Sequence, residues 1–185
     1  MSNFLNKREW DKIERGYEFE AATPYPSDTK RPLSFFVPDS KDPTLGKVVS
    51  STGDFSPSRS GGAREQQIIM TIKPRKVVVI SSDEINRNSD FEYILVAPIN
   101  TIKPYEKERE WYKKLIKDEH PIFTYLPKGD LDRYVDLSQS MSIHKTLLLK
   151  KYRAVSEDRM DVLDDNLVQC LSLGIIEEEI VEEEN

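Results

Sequence analysis

The chain is poor in the residues that would stabilise or anchor a protein by other means than a packed core. Its 185 residues include one cysteine, two histidines and seven glycines. The lone Cys170 excludes an intrachain disulfide and fits a reducing compartment. One cysteine and two histidines also give no cluster at metal-ligand spacing, so no metal and no other cofactor is expected. No apolar run approaches the roughly 18 residues that span a bilayer, and residues 1–8 carry charge without an apolar stretch behind it. These absences set the expectation of a cytoplasmic protein with no membrane partner. Positive charge is also short. There are 27 basic and 33 acidic side chains, for a net charge of −6. Six glutamates in 177–185 account for the whole imbalance and leave a neutral body. A general nucleic-acid binder is strongly basic, so any RNA site here must be a local patch.

What the chain does have is a pair of β-branched and aromatic runs, Val-Val-Val-Ile at 77–80 and Tyr-Ile-Leu-Val at 93–96, separated by polar residues. This pattern predicts two buried strands joined by a polar connection. Arg75 precedes the first strand, and Asn100 and Thr101 follow the second. If the strands pair antiparallel, these outer ends meet at one rim. A guanidinium beside short hydrogen-bonding groups suits a phosphate.

Around this core the periodicities are weaker. Residues 6–14 read as a short helix with Trp10 and Ile13 on one face, closed by Gly16, with a strand at 17–21. The segment 23–63 holds six of the eleven prolines and many serines, and reads as an insertion with short strands at 31–37 and 46–49. Residues 66–72 read as a strand, and Pro74 marks a bulge or strand edge that would re-aim Arg75. An exposed helix is expected over 104–117, with Trp111, Tyr112, Leu115 and Ile116 as its apolar stripe. Its charges form a solvated face, or Lys113, Lys114 and Lys117 border an RNA groove. Strands follow at 122–126 and 134–137, with a turn at 127–130 between them. Asp164 reads as the N-cap of a last helix, with Leu163 and Val168 as a hydrophobic staple and Gly174 as its end. Residues 177–184 read as a disordered acidic tail, bland in the main but able to fold back on a basic groove.

Four blocks in this order resemble the MazF/PemK family of ribosome-independent endoribonuclease toxins. They are Arg15-Gly16-Tyr17-Glu18-Phe19, the Arg75 strand through Val-Ala-Pro-Ile, Tyr134-Val135-Asp136-Leu137-Ser138-Gln139, and the stretch from Leu163-Asp164-Asp165 to Gly174. The resemblance implies a mainly β fold with helices: an SH3-like, bent antiparallel barrel of the MazF/PemK (CcdB-like) type, forming a homodimer. One such domain would cover 1–185, with the 23–63 insertion and the acidic tail. It also implies metal-independent cleavage of single-stranded RNA and neutralisation by a cognate antitoxin. By position, Arg75 stabilises charge on the phosphate, and Glu65 is the base. Asn100 stands where the family has threonine, with Thr101 one residue later on the opposite face. Ser81, Ser82, Asn86, Lys76 and Gln139 would contact RNA. Chemistry alone adds His144 as an acid–base candidate, because a histidine titrates near neutrality. Two other classes fit part of the pattern. One is an SH3-like binding module without catalysis. The other is a gyrase-binding toxin of CcdB type, against which the glutamate-rich end argues.

Overall fold

The structure is a computed structural model, and it describes residues 6–25, 33–51, 61–62, 65–127, 129 and 131–173. The expected Gly174 helix end and the acidic tail lie outside the described residues, as does part of the 23–63 insertion.

The strands run in chain order as β1 (Tyr17–Tyr25), β2 (Leu33–Pro38), β3 (Gly46–Ser51), β4 (Gln67–Ile69), β5 (Thr71–Val79), β6 (Tyr93–Thr101), β7 (Phe123–Tyr125), β8 (Arg133–Asp136), β9 (Met141–His144) and β10 (Leu148–Ala154). Three α-helices accompany them: α1 (Asp83–Arg87), α2 (Glu110–Leu115) and α3 (Glu157–Cys170). No described helix is long and apolar enough to cross a membrane.

Two compact units are present: a body of Met1–Ala22 with Pro74–Asn185, and a smaller unit of Thr23–Lys73 that includes most of the expected insertion. In the smaller unit β2 is the central strand, paired antiparallel with β3 and with β4. Phe35 is its buried residue, and at its neck Thr23 Oγ1 donates to the Lys73 carbonyl at 3.2 Å.

In the body a seven-stranded sheet runs in the order β10-β1-β5-β6-β8-β7, with β9 also on β6. β6 organises it. One edge carries β5; the other carries β9 along Tyr93–Val96 and β8 along Ile99–Thr101. This change of partner bends the sheet, because the 3-10 turn Leu137–Gln139 breaks what would be one strand into β8 and β9. The burial pattern of β6 follows from that position. Ile94 and Val96 are buried while Tyr93 and Leu95 are exposed, and then Ala97, Pro98 and Ile99 are buried on both faces. Two apolar clusters result. Val77, Val79, Ile94 and Val96 pack with Trp10, Ile13 and Phe19 on one side. Val78, Ile80, Ala97, Ile99 and Val135 pack with Leu163 of α3 on the other.

Gly16 sits where the first turn meets the sheet. Its φ of +77° is a left-handed value that favours glycine, and its amide donates to the Val79 carbonyl at 2.8 Å. Its own carbonyl accepts from Val155 at 2.8 Å. Beside it, Arg15 donates through Nε to the Ile80 carbonyl and through its terminal nitrogens to Asp164. Arg15-Gly16 therefore ties β1 to the end of β5 and to α3.

Two expected helices are corrected. The run 104–117 is not continuous: a 3-10 turn at Pro104–Glu106 is followed by α2 only from Glu110. Glu106 reaches back to the Lys103 amide at 2.7 Å and closes the short turn on itself. Arg109 is then extended, with ψ at 145°, before α2 begins. The last helix starts seven residues before the expected turn, at Glu157 after the extended Ser156, with Glu157 and Asp158 favouring its N-terminus. Asp164 is thus an interior residue held by Arg15, and Val168 is 43% exposed, so no staple forms across it.

Candidate functional site

Val77 lies opposite Pro98, Val78 opposite Ala97 and Val79 opposite Val96. The same register carried two positions outward brings Arg75 level with Asn100. Cross-strand partners share a face and successive residues alternate. Asn100 and Thr101 therefore belong to opposite faces, and the register so extended would put Arg75 with Asn100. The opposite edge of β6 repeats the division, with Asn100 across from Tyr134 and Thr101 across from Arg133. Burial raises the pKa of the Tyr134 phenol, and the neighbouring Asn100 side chain opposes that rise. Lys76, next to Arg75, places Nζ 4.2 Å from the centre of the Tyr152 ring. Pro74 is an exposed residue within β5, outward of the paired stretch.

On the Thr101 side the guanidinium of Arg133 is turned inward. It donates two bonds of 2.9 Å to the carboxylate of Glu18 on β1. Glu18 is 1% exposed and Arg133 5%. Arg153 Nε lies 3.8 Å from the same carboxylate. Among the described residues, Arg133 Nε is buried without a hydrogen-bond partner. The three side chains line a cavity of about 520 Å³ with Tyr125, Ser156 and Arg159.

On the Asn100 side lies an aromatic corner. Tyr134 is 4.8 Å from Phe123 and 5.5 Å from Trp111, centre to centre, and Trp111 is 5.9 Å from Phe123. His120 stacks on Phe123 at 4.2 Å with the rings 3° from parallel. Asp132 fixes this corner. It accepts from Tyr112 at 3.1 Å, from Tyr125 at 2.5 Å and from Lys107 at 2.5 Å, tying α2 and the turn before it to the β7–β8 hairpin. The Lys107 ammonium and the Tyr125 hydroxyl hold that carboxyl below its ordinary range.

Burial, helped by the charge of Lys114 and opposed by Asp136, lowers the pKa of His120 below its usual 6.5. Its Nδ1 accepts from the amides of Ile122 at 3.3 Å and Phe123 at 3.0 Å, which a protonated ring could not do. The folded state thus binds this proton less readily than the unfolded chain. Its contribution to stability is present above about pH 6.5 and is lost as pH falls through the lower folded value. Melting temperature is expected to drop as pH falls below about 6.5, and His120→Asn to flatten that part of the curve. An unchanged slope in the variant would refute this.

The remaining candidates of the body are not brought to this rim. Ser81, Ser82 and Asn86 lie in the β5–β6 connection, at the other end of the strands. Asn86 is fully buried; it donates to the Ser81 carbonyl at 2.7 Å and accepts from Ser81 Oγ at 2.5 Å. Lys145, also fully buried, donates to the carbonyls of Ile85 and Asn88 and pins the same connection. His144 lies opposite Tyr93, seven residues or roughly 23 Å along β6 from Asn100. It packs edge-on against Trp10 and Tyr93, and its Nδ1 caps the next turn by accepting from the Thr146 amide at 3.2 Å. Gln139 is exposed after β8 and donates to Asp136 at 2.6 Å. Glu65 is exposed in the smaller unit, beside a cavity of about 570 Å³ lined by Phe35, Phe36 and Pro38. The sequence reading missed Glu18, Arg133, Tyr134, Phe123 and His120 as parts of this region. The one available signal was the placement of Tyr134 and Arg133 in a strand that must pair with the end of β6.

A family model described as "PemK-like, MazF-like toxin of type II toxin-antitoxin system" matches residues 53–171. One similar solved structure is titled "Endoribonuclease in complex with its cognate antitoxin from Mycobacterial species". It shares 13% identity at a TM-score of 0.46, over 88% of this chain and 97% of that one. No curated protein matches the chain.

Proposed function

The chain belongs to the PemK-like, MazF-like toxin family of type II toxin–antitoxin systems, and from that premise we propose that it is an endoribonuclease acting on single-stranded RNA without a metal. The observation that supports this reading is the β5–β6 register, which pairs Val77 with Pro98 and, carried two positions outward, would bring Arg75 level with Asn100. In the proposed reaction the 2′-oxygen attacks the adjacent phosphorus and the P–O5′ bond breaks. The 2′ proton passes to a base, and a proton is supplied to the departing 5′-oxygen. The products are a 2′,3′-cyclic phosphate and a 5′-OH. Arg75 remains protonated and stabilises the charge that builds on the phosphorane oxygens, and the Asn100 amide donates to one of them. Glu65 is the base by its correspondence with the family. The active form is a homodimer, restrained by a cognate antitoxin.

Incubation with an unstructured RNA in EDTA, followed by end-group analysis, tests the chemistry. Cyclic phosphate and 5′-OH ends are expected; intact RNA would refute the proposal. In the same assay Asn100→Ala is expected to lower turnover by roughly 10-fold or more, and Thr101→Ala by much less, because Thr101 shares a face with the buried Arg133. The reverse order would move the site to the other face of β6.

A further inference from the structure

We propose that the aromatic corner formed by Trp111, Phe123, Tyr134 and His120 is a stacking platform that seats an unpaired nucleobase of the RNA beside Asn100; this rests on the endoribonuclease reading above. Neither apolar cluster of the body includes these rings, and each of the four is only half-buried. A group of aromatic side chains held together outside the core and left partly open is an available π surface. Every nucleobase has a π face that can use it, whatever its sequence.

Three further observations select RNA as the occupant. The platform is continuous with the candidate phosphate site, since Tyr134 is the cross-strand partner of Asn100. Residues 103–117, which carry Trp111, hold six basic and three acidic side chains, whereas residues 1–176 as a whole are neutral, so the local charge suits a polyanion. The rings are also fixed before any ligand arrives. Asp132 clamps α2 through Tyr112 and the hairpin through Tyr125, Leu115 of α2 is fully buried, and His120 is held by two backbone amides. A platform fixed in this way loses little side-chain freedom on binding.

The chain's two tryptophans make the test direct. Trp10 is 2% exposed in the core, which leaves Trp111 as the indole a base can reach. The probe is a short single-stranded RNA made non-cleavable by 2′-deoxy substitution, together with the same strand lacking bases. Full-length protein is titrated with each while tryptophan emission is followed. Quenching by the base-bearing strand and none by the abasic strand is expected. Trp111→Ala should weaken binding roughly 10-fold, Trp111→Phe should restore most of it, and the abasic strand should bind both variants alike. Binding without a change in emission, or equal affinity in Trp111→Ala, would overturn the platform. So would rings that respond to an acidic antitoxin peptide and not to RNA. If wild-type protein cuts RNA yet its emission is unmoved, the platform alone is wrong. If it neither binds nor cuts any RNA, the endoribonuclease reading falls with it.

Discussion

Arg75→Ala is expected to lower RNA cleavage by roughly 10²–10³, the usual loss when one preorganised donor to a developing oxyanion is removed. Arg75 is part-buried in β5, two residues outward of the stretch that pairs with β6. Its position is set by the backbone rather than by a loop, so truncation should remove the charge without moving its neighbours. Arg75→Lys should recover little. An ammonium is a point charge, whereas a guanidinium meets two phosphate oxygens with a planar fork. Initial rates on one labelled RNA, read beside thermal melts of the three proteins, decide the matter. Cleavage by the alanine variant at the wild-type rate, with an unchanged melt, would remove Arg75 from the mechanism. Growth on induction gives a second reading, since the alanine variant should be non-toxic.

The largest expected effect on stability lies at Glu18. Glu18→Ala should cost about 3–5 kcal/mol, the usual consequence of leaving a buried charge without its partner. Two arginines lose a counter-ion in that variant: Arg133, which is buried, and Arg153, which is 55% exposed at its side chain and can turn to water. Arg133→Met should cost less, because Arg153 already stands 3.8 Å from the carboxylate and can keep it neutralised. Replacing both, Glu18→Leu with Arg133→Met, should recover much of the loss, as apolar side chains of similar volume often do in place of a buried pair. Urea denaturation of the three variants measures this. Equal losses in the two single variants would mean that Arg153 contributes nothing to the cluster.

The difference between these two sites shows what sequence alone could reveal. The mainly β fold of the MazF/PemK type and the antiparallel pairing of the two β-branched runs are local. They follow from β-branched runs, the polar connection between them and the period of two. Glu18 is different. In Tyr17-Glu18-Phe19-Glu20 the two glutamates look alike, yet Glu18 is 1% exposed because Arg133, 115 residues away in the chain, meets it in the interior. A buried charge is invisible until its partner is located. The aromatic corner was hidden for a related reason. Trp111 reads as part of a stripe on one long helix, but that helix is broken, and the ring belongs with Phe123 and Tyr134 because Asp132 gathers three segments. His144 was proposed for its chemistry. Its position at the far end of β6 could be found only from the β9 register.

The place of β1 in the sheet has a consequence for synthesis on the ribosome. β1 precedes the other strands of the body in the chain, yet one of its edges pairs with β10, Tyr17 facing Ala154 and Ala21 facing Leu148. At about 5–20 residues per second, roughly 6–26 s separate the completion of β1 from that of β10. Through that interval the nascent chain carries an open strand edge, and Glu18 stays without its arginine until Arg133 has been added. The sheet that carries β5 and β6 is therefore not complete until β10 has been made. For a chain of a toxin family, that delay separates the making of the polypeptide from the appearance of its activity.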